Sequence, residues 1–522
     1  MKYPIGIQTF EQIIDNGFVY VDKTDMVYAL ATEGKTYFLS RPRRFGKSLL
    51  LSTLRAYFEG KKELFKGLKI DKLEKDWHAH RVLHIDFNGV VFTRPGALED
   101  ELDKQLSTWE EEYHLPKGTR EMYGWRFEQI VQAIYTETGR GAVVLIDEYD
   151  KPLLDVLEMD PELLNNNREI LKGFYSTFKK ADAYLRFVFL TGVTKFSQVS
   201  VFSGFNQPKD ISMYEQFEAL CGITEEELHT QFAEPIREMA QAENCTEEEM
   251  KLQLKKHYDG YHFSKQMTDI YNPFSVLNAF DSKDIRDFWF ATGTPTYLIR
   301  LMNHFNEGID ELTGREYSLD EFVNYKADTE YPLPMIYQSG YLTIKNYDRE
   351  MDMFLLDFPN NEVKRGFLAM VASNYLQSGQ PMDSWIKRAV LSLRRGQIDQ
   401  FRQMLTAFLA SIPYSMRRKD EERERERYFQ YTFYLLLRLM SVYTVYIEKE
   451  QSEGRVDCVI ETPQFVYIFE FKLDGTAAGA LQQIEDKGYA REYEADARPV
   501  HKIGVNFSSE TGTIEGWEHA IR

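Results

Sequence analysis

A chain of 522 residues is too long for one hydrophobic core, so roughly two to four domains are expected. Its composition, 43% hydrophobic and 14% aromatic, is that of a soluble globular protein, and no stretch approaches the ~18 uninterrupted apolar residues of a membrane span. The net charge of −19 would repel nucleic acid as a whole, so any DNA or RNA contact must use a local basic patch.

The cysteines and the first residues indicate a compartment. Cys221, Cys245 and Cys458 are far apart and show no paired spacing, which argues against a structural zinc site and against a disulfide framework. The sequence starts without the charged segment and apolar run of a signal peptide. A cytoplasmic protein with no membrane partner is therefore expected.

The first motif follows a helical lead-in predicted over residues 1–36. A short apolar strand at residues 37–40 runs into a polar loop that ends in Gly46-Lys47-Ser48, and an apolar helical pattern continues from there. Strand, loop and helix in this order are typical of a phosphate-binding P-loop, because the helix N-terminus offers unpaired N–H groups and a partial positive charge. Lys47 would reach the β- and γ-phosphates of a nucleotide, and Ser48 would ligate Mg²⁺.

Two residues of the loop depart from the usual P-loop pattern. The position five residues before Gly46 is Arg41, where the pattern has glycine, and Pro42 lacks a backbone donor. Whether Arg43 and Arg44 add charge to a phosphate site or only lie on the surface is open. The alternative for the whole stretch is a basic turn that caps a core helix. The residues predicted to bind the nucleotide are Arg43, Arg44, Phe45, Gly46, Lys47, Ser48 and Leu49.

A second motif, at the end of a later strand, supports the P-loop interpretation. Residues 141–146 form a continuous apolar run, as in a central strand covered on both faces, and the run ends in Asp147-Glu148. Hydrolysis of Mg²⁺·ATP needs a carboxylate that helps to hold the metal and a base that orients the attacking water. Asp147 fits the first role and Glu148 the second. The alternative is an ordinary polar strand end.

Two further strands complete the predicted sheet. Residues 82–87 lie between the P-loop strand and the Asp147 strand in the sequence, and residues 185–190 form a later strand that ends at Thr191. Strands that alternate with helices predict a parallel sheet with ligand groups at the carboxyl ends of its strands. This order resembles the additional-strand class of P-loop ATPases, to which AAA proteins belong. Thr191 resembles the polar residue that senses the γ-phosphate there, and no arginine finger is assigned.

Beyond residue 212 the sequence changes character. Helical patterns, opened by a capping box at Thr224, dominate to about residue 300, and a dense run of mixed charge at 417–427 is predicted to be a solvated helix start or linker. The predicted division is an ATPase domain over 1–212, a helical lid-like region over 213–300, a mostly helical connecting region over 301–415 and a C-terminal domain over 416–522.

The C-terminal domain contains a second candidate site. After an apolar helix over 428–440, residues 441–522 are predicted as three strands, a helix, a strand and a helix. Asp457 lies on one strand of a hairpin. Glu470 and Lys472, two residues apart, share one face of the other strand. Two carboxylates and a lysine at a sheet edge can hold a divalent ion and orient a hydroxide for attack on a phosphodiester.

This Asp…Glu-x-Lys pattern, with a helix before it, resembles the core of the PD-(D/E)xK nucleases. That superfamily often adds a carboxylate on the preceding helix, here Glu426, and accessory residues on the following helix, here Gln483, Lys487 and Tyr489. The alternative is an edge-strand cluster of salt bridges in a domain that binds without cleaving. The predicted metal ligands of the two sites are Ser48, Asp147, Asp457 and Glu470.

Seven short motifs spread over the chain have a common likeness. They are Tyr20-Val-Asp-Lys-Thr24, Arg41-Pro-Arg-Arg-Phe-Gly-Lys-Ser48, Leu145-Ile-Asp-Glu-Tyr-Asp150, Thr191-Gly-Val-Thr-Lys195, Asn272-Pro-Phe274, Thr292-Gly-Thr-Pro295 and Ser339-Gly-Tyr-Leu342. Together they resemble the prokaryotic AAA-ATPase-like family, whose members pair this ATPase with a C-terminal PD-(D/E)xK nuclease-superfamily domain. The resemblance implies that Arg41 is the family's own form of the loop. It covers nearly the whole chain.

The predicted fold is α/β and multidomain, with a P-loop NTPase core of AAA type, a helical middle region and a C-terminal restriction-endonuclease-like domain. The hypothesis is an Mg²⁺·ATPase whose nucleotide state moves the helical region and controls a nuclease-like domain acting on DNA or RNA, with a second divalent ion allowed for in that domain. One alternative is a nucleotide-dependent binding or signalling protein whose last domain grips nucleic acid without cutting. The other is an ATP-driven remodeller of protein partners. A protein partner or a homo-oligomer fits each of them.

Overall fold

The computed structural model describes residues 1–196, 208–292, 312–324, 332–376, 382–412, 432, 436, 444–451 and 454–522. The chain divides into two compact units, Met1–Lys364 and Arg365–Arg522. The finer boundaries expected near residues 212, 300 and 415 stay predictions. In the described part of the chain, no helix combines the length and apolar character needed to cross a membrane.

A five-stranded sheet forms the centre of the first unit. Its strands are β1 (Thr36–Ser40), β2 (Val82–Asp86), β3 (Ala142–Asp147), β4 (Leu185–Gly192) and β5 (Lys209–Asp210). The order is β2-β3-β4-β1-β5, and every adjacent pair is parallel. Strand β4 therefore separates the P-loop strand β1 from β3, which is the inserted strand expected of the additional-strand class. The predicted fold class is confirmed.

The register of this sheet brings its polar strand ends together. Leu39 of β1 is paired with Thr191 of β4, and Asp86 of β2 is paired with Asp147 of β3. Strand β3 is buried along its whole length, as its unbroken apolar sequence predicts. Since all five strands run the same way, their carboxyl ends form one edge, where the P-loop also begins.

Eight helices accompany the sheet. They are α1 (Phe10–Asp15), α2 (Thr24–Glu33), α3 (Lys47–Phe58), α4 (Lys69–Leu73), α5 (Ala97–Glu112), α6 (Tyr123–Thr138), α7 (Lys151–Leu154) and α8 (Pro161–Lys180). The longest, α8, shows why a helix starts where it does. Asp160 accepts the N–H of Leu163 at 2.9 Å, and Pro161 occupies the first turn, where its missing N–H removes no helical bond.

The described residues of the rest of the first unit form helices and two small sheets. It contains β6 (Ile223–Thr224), α9 (Glu225–Gln231), α10 (Ala233–Ala242), α11 (Glu247–Tyr258), β7 (Ile270–Tyr271), α12 (Pro273–Ser282), α13 (Phe288–Ala291), β8 (Arg315–Tyr317), α14 (Leu319–Val323), α15 (Leu333–Gln338), β9 (Thr343–Asp348) and β10 (Met353–Asp357). The capping box predicted at Thr224 is present, with Glu227 as its partner. Tyr3, Val19 and Val21 pack against the apolar core of these helices, so the N-terminal segment braces them.

The motif Tyr20–Thr24 joins three elements of the first unit. Side-chain oxygens of Asp22 and Thr24 accept the first two N–H groups of α4, at 2.8 and 3.1 Å. Lys23 forms a buried ion pair of 2.5 Å with Glu227 of α9, and burial lowers the pKa of this lysine. Lys23 thus ties the start of the α/β core to the helical region, which gives the motif an architectural role.

The second unit is built around another five-stranded sheet. Its strands are β11 (Thr444–Gln451), β12 (Gly454–Glu461), β13 (Val466–Leu473), β14 (Val500–Phe507) and β15 (Ile514–Ile521), in that order across the sheet. The helices with described bounds in this unit are α16 (Asn361–Leu376), which begins in the first unit, α17 (Met382–Arg394), α18 (Ile398–Ala410) and α19 (Ala477–Asp486). Only β13 and β14 are parallel, and α19 connects them and packs on β13, β14 and β15.

One sequence prediction for this unit is wrong, because its last element is a strand and not a helix. Ile514 and Trp517 are buried and three residues apart, which mimics one face of a helix. The pairing shows the cause. Phe507 lies opposite Ile514 and Asn506 opposite Gly516, so one extra residue forms a β-bulge. The bulge returns Ile514 and Trp517 to the same face of the sheet.

Some predictions fall outside the described residues. They concern the charged run at 417–427, which includes Glu426, and all of the helix expected at 428–440 except residues 432 and 436.

Candidate functional site

The P-loop turns into α3 through backbone that is left-handed at two residues. Gly46 caps the helix with φ 96°, and Arg44 has φ 68°. Glycine adopts this conformation without cost, whereas an arginine there is strained by about 1 kcal/mol and needs surrounding contacts to hold it. The helix starts at Lys47, so its unpaired N–H groups lie at the loop, as the sequence predicts.

Asp147 is the centre of the hydrogen-bond network at this sheet edge. Ser48 Oγ donates to its Oδ2 at 2.6 Å, and Thr191 Oγ1 donates to its Oδ1 at 2.7 Å. The backbone N–H of Glu148 also donates to Oδ1, at 3.0 Å. Asp147 is buried, so these bonds replace lost water contacts. The structure therefore brings together three residues that were predicted for one site, and the two hydrogen-bonded pairs join positions 44 and 99 residues apart.

Glu148 and Lys47 complete the predicted set at this edge. Glu148 has left-handed backbone, with φ 51°, and is partly exposed directly after the buried Asp147. Lys47 is buried, and its ammonium donates to the carbonyl oxygens of Arg41 and Pro42 at 2.9 and 3.2 Å. The lysine lies across its own loop and bonds to neutral carbonyls, while Leu49 is half-buried in the first turn of α3.

Arg41 is a buried anchor of the loop. Its guanidinium donates to the carbonyl oxygens of Ser40 and Ser212 at 2.9 and 2.7 Å, with longer contacts of 3.4 Å to those of Phe217 and Glu218. It also lies 4.1 Å from the ring centroid of Phe263, and burial lowers its pKa. The side chain therefore fixes the start of the P-loop to the segment that follows β5.

The other loop residues contact the helical part of the first unit. Phe45 is buried with its ring edge-on to Tyr261 and Phe263, at 4.8 and 5.6 Å between centroids, so of this residue only the backbone is available to a nucleotide. Arg44 is exposed, and its guanidinium lies 5.2 Å from the ring of Phe274. Arg43 is also exposed, and its carbonyl oxygen accepts the indole N–H of Trp289 at 3.0 Å.

Sequence reasoning missed Asp150 as a member of the site. Its Oδ2 accepts the N–H of Val193 at 3.0 Å and both the N–H and the hydroxyl of Thr194, at 2.6 and 2.8 Å. Burial, followed by the charge of Glu148, raises the pKa of Asp150 to about 6. A Cβ at Gly192 would lie 2.6 Å from Asp150 Oδ1, so only glycine fits there. The signal in the sequence was the pair of motifs ending at Asp150 and Lys195.

The C-terminal candidates also meet at one place. Asp457 of β12 accepts the N–H of Phe471 at 2.8 Å, directly beside Glu470 and Lys472 on β13. Gln483 of α19 donates its amide to Glu470 Oε1, while its carbonyl oxygen accepts Lys472 Nζ at 2.7 Å. Gln483, predicted as an accessory residue, thus connects the carboxylate and the lysine.

Glu470 has a buried oxygen that fits a cation. Burial first, and the charge of Asp457 next, raise the pKa of Glu470 to about 7. Its Oε2 has no hydrogen-bond partner among the described residues, and an unpaired buried carboxylate oxygen is costly unless a positive charge neutralises it. In that same part of the chain no three His, Cys, Asp or Glu side chains are grouped to hold a metal ion.

The remaining accessory predictions have different environments. Tyr489 is buried, and burial followed by the charge of Glu470 raises its pKa. Lys487 is exposed at the end of α19. Glu426, the carboxylate expected on the preceding helix, lies outside the described residues.

Two protein families match separate parts of the sequence. A family model described as predicted AAA-ATPase matches residues 4–202, and one for the PD-(D/E)XK nuclease superfamily matches residues 424–517. The "Uncharacterized protein in vnfD 5'region" of Azotobacter chroococcum mcd 1 is 36% identical over 99% of this chain and 98% of its own length.

Two solved structures show weak similarity. The Aeropyrum pernix ORC2 protein (ADPNP–ADP complexes) covers 69% of this chain and 98% of its own, at 12% identity and TM-score 0.26. The ORC1 protein of the same organism, in complex with DNA, covers 91% and 95%, at 12% identity and TM-score 0.23. These scores are too low to carry an argument. The chain shares a family with the Azotobacter protein and belongs to the AAA-ATPase-like family, with a PD-(D/E)XK nuclease-superfamily domain at its C-terminus.

Proposed function

We propose that the first unit binds and hydrolyses ATP with Mg²⁺, and that its nucleotide state controls a nuclease activity of the second unit on nucleic acid. The observation that carries the proposal is the network in which Ser48 and Thr191 both donate to Asp147. A P-loop hydroxyl, a carboxylate and a polar residue of the inserted strand then serve one ligand. This is the set that hydrolysis of a nucleoside triphosphate requires.

The P-loop supplies binding and positioning in this proposal. Backbone N–H groups between Arg43 and Ser48 would face the phosphates, and Lys47 would exchange its two carbonyl partners for phosphate oxygens. Arg41 holds the start of the loop from behind, as the first glycine does by a turn elsewhere. The two terminal nitrogens of its guanidinium donate to carbonyl oxygens, so the side chain is not assigned to the phosphates.

Ser48 and Asp147 would hold Mg²⁺, which when bound neutralises phosphate charge and orients the γ-phosphate. The donor set fits the ion, because a hydroxyl and a carboxylate are hard oxygen ligands and already lie 2.6 Å apart. Glu148 accepts the proton of the attacking water. Thr191, whose hydroxyl donates to Asp147 at the same edge of the sheet, would sense the γ-phosphate.

In the second unit, Asp457 and Glu470 would hold a divalent ion, and Lys472 would orient the attacking water. The observation that fits a cation there is Glu470 Oε2, which has no hydrogen-bond partner in the part of the chain that the structure describes. When bound, the ion activates water and stabilises charge on the phosphodiester. Gln483 holds Glu470 and Lys472 in register through its amide, and contact to DNA or RNA would need a local basic patch.

Control by nucleotide is supported by the contacts of the P-loop. Arg43, Arg44 and Phe45 each touch a residue of the helical region between 261 and 289. Phosphate binding that shifts these three residues must also shift their partners. Conversely, a helical region held in place by another ligand would change the shape of the loop, since such coupling is reciprocal.

The first test is nucleotide affinity of Lys47→Ala. Loss of a charged hydrogen-bond donor to phosphate is expected to weaken ATP binding about ten- to a hundredfold. Binding of a fluorescent ATP analogue, titrated with and without Mg²⁺, measures the change. Lys61→Ala is the control, because Lys61 is an exposed lysine paired with Glu11 and Glu59 at the other end of α3. Equal affinities of the two variants would contradict the P-loop assignment.

The second test concerns the C-terminal unit. DNA and RNA substrates are incubated with Mg²⁺ or Mn²⁺, with and without ATP, for the wild type and Asp457→Ala. Metal-dependent cutting that ATP alters and Asp457→Ala abolishes is expected. Cutting that survives the substitution would remove Asp457 from the site.

A binding module is the second candidate for the C-terminal unit, and the net charge of −19 favours protein over nucleic-acid partners. In that case the ATPase would signal to, or remodel, a protein partner. The same assay decides, because the wild type would then cut no substrate under any condition while ATP turnover persists.

A further inference from the structure

Trp289 joins the P-loop to the helical region through its indole. It lies on the short helix α13 and is 6% exposed, and its Nε1–H donates to the carbonyl oxygen of Arg43 at 3.0 Å. The two residues are 246 positions apart in the chain. Because a peptide unit is planar and trans, a carbonyl held towards Trp289 directs the following N–H, that of Arg44, to the opposite side of the loop.

Glu362 fixes the tryptophan. Its Oε1 accepts the backbone N–H of Trp289 at 2.6 Å, and its Oε2 accepts the hydroxyl of Ser275 at 2.7 Å. The carboxyl group is 1% exposed, and burial above all raises its pKa to about 7. Burying a carboxyl group is costly, and here both of its oxygens serve to join α12 and α13 at the start of α16.

The loop is held from a second direction at the neighbouring residue. The backbone at Gly340 approaches Pro42 so closely that a Cβ there would lie 2.6 Å from the proline ring. The next residue, Tyr341, packs its ring 5.2 Å from that of Trp289. Pro42 and Arg43 are thus clamped by one cluster, immediately before the strained Arg44 and the left-handed Gly46.

We infer that Trp289 is a positioning residue of the ATPase site, which sets the phosphate-binding backbone through Arg43 and is itself oriented by Glu362. The inference rests on the proposed function, because it assigns a further part to the same site. Loss of the indole N–H would remove this hydrogen bond to the Arg43 carbonyl and loosen the peptide that follows. ATP affinity is then expected to fall about three- to tenfold, the effect of one hydrogen bond.

The experiment compares Trp289→Phe with Trp385→Phe in the full-length protein. Trp385 is an equally buried tryptophan whose indole donates to a backbone carbonyl, that of Met404 at 3.2 Å, but it belongs to the second unit. Two quantities are recorded for each variant. One is the affinity for the fluorescent ATP analogue, and the other is the change in tryptophan fluorescence emission on adding unlabelled Mg²⁺·ATP. We expect weaker binding and loss of the emission change in Trp289→Phe only.

Lys47→Ala separates failure of the inference from failure of the proposed function. If Lys47→Ala weakens nucleotide binding while Trp289→Phe and Trp385→Phe behave alike in affinity and emission, the inference is wrong and the P-loop assignment holds. If the wild type binds no nucleotide, or Lys47→Ala binds as the wild type does, the proposed function itself is wrong.

Two substitutions at Glu362 keep the inference testable should Trp289→Phe not fold. Glu362→Gln retains an oxygen for the Trp289 N–H, and Ser275 can accept from the new amide, whereas Glu362→Ala removes both contacts. Nucleotide affinity is expected to stay near the wild-type value in Glu362→Gln and to fall in Glu362→Ala at unchanged circular dichroism. Equal affinities in these two variants would overturn the role of Glu362.

Discussion

The two candidate sites differ in how their carboxylates are satisfied. In the first unit, Asp147 receives three hydrogen bonds from protein groups, so its charge is balanced by the fold itself. In the second unit, Glu470 keeps one buried oxygen without a partner among the described residues, and its pKa is raised to about 7. The carboxylate of the first site is stabilised by protein donors, whereas burial of the Glu470 oxygen in the second site is not offset by a hydrogen bond from the described residues.

This difference shows where a ligand contributes most. A site that is already hydrogen-bonded gains precision from its ligand but little stability, whereas a buried carboxylate with an open oxygen gains both when a cation binds. We therefore expect the rate of ATP hydrolysis in the first unit to depend on individual catalytic side chains such as Glu148. The second unit is expected to depend on metal and on the residues that hold Glu470.

The largest effect is expected for Glu148→Gln. Loss of the base should lower ATP turnover by about 10²–10⁴-fold, with nucleotide affinity preserved. Steady-state phosphate release and analogue binding measure the two quantities. Glu158→Gln is the matched control, since Glu158 also has left-handed backbone, with φ 59°. Normal ATP turnover in Glu148→Gln would show that Glu148 is not the base. It would also contradict the expectation that hydrolysis at the first site depends on this side chain.

Arg41→Leu tests whether the fold itself builds the first site. The carbonyl oxygens of Ser40 and Ser212 would lose their donors in a buried setting, so a destabilisation of about 3 kcal/mol is expected. Urea unfolding of the two-unit protein, followed at its first transition, measures the loss. Arg43→Leu at the exposed neighbouring position should change stability by a few tenths of this amount. Similar losses for both would show that Arg41 is not an anchor.

Glu362→Gln is expected to remove a pH dependence of the unfolding free energy. Its size is comparable to the destabilisation expected for Arg41→Leu, or slightly smaller. The folded pKa of Glu362 is raised from its ordinary value of 4.5 to about 7, so the folded protein retains a proton that the unfolded chain releases in between. Wild-type stability therefore falls as pH rises through that window, by about 3 kcal/mol from this group. The variant lacks this term.

The expected result is that the unfolding free energy of Glu362→Gln, relative to the wild type, rises from pH 5 to pH 8. Asp287 lies near enough for its charge to raise the pKa of Glu362, so its titration belongs to the same baseline in both proteins. Parallel stability curves would show that Glu362 titrates normally.

Gln483→Ala should affect only the second site, and least in energy. Without its amide, Glu470 and Lys472 lose their common partner, and the affinity for Mn²⁺ should fall about ten- to a hundredfold. Calorimetry measures the affinity, while ATP turnover should stay unchanged. Gln482→Ala is the control, because the exposed side chain of that neighbouring glutamine donates to Asp486 at 2.8 Å and not to Glu470 or Lys472. Equal Mn²⁺ affinities of the two variants would separate Gln483 from the metal site.

Much of the fold could be predicted from local pattern. The unbroken apolar run before Asp147 and the run before Thr191 gave β3 and β4, because buried parallel strands have no polar face to interrupt them. The proximity of Ser48 and Asp147 was also predictable, because both lie at the carboxyl ends of strands in one parallel sheet. The strand β15 was not, because its bulge disguises a period of two.

The contacts that shape the loop could not be predicted. Three of the four carbonyl acceptors of Arg41 lie 171 to 177 residues further along the chain, and Trp289 lies 246 residues beyond Arg43. Such pairs depend on how the helical region packs, which no local pattern encodes. The motifs that contain Asp150 and Thr194 were both recognised in the sequence. The hydrogen bonds between these two residues are evident only in the folded structure.

The anchoring of Arg41 has a consequence for how such loops are recognised and engineered. Replacing it with glycine would make the sequence conform to the general P-loop pattern and would be expected to damage the protein, since Ser212 would lose its donor. The pattern describes one way of fixing the entry to a phosphate cradle, a tight turn. In this chain a buried guanidinium that donates to the carbonyl oxygen of Ser212 holds the start of the corresponding loop, so a departure from the pattern at this position does not leave the loop unsupported.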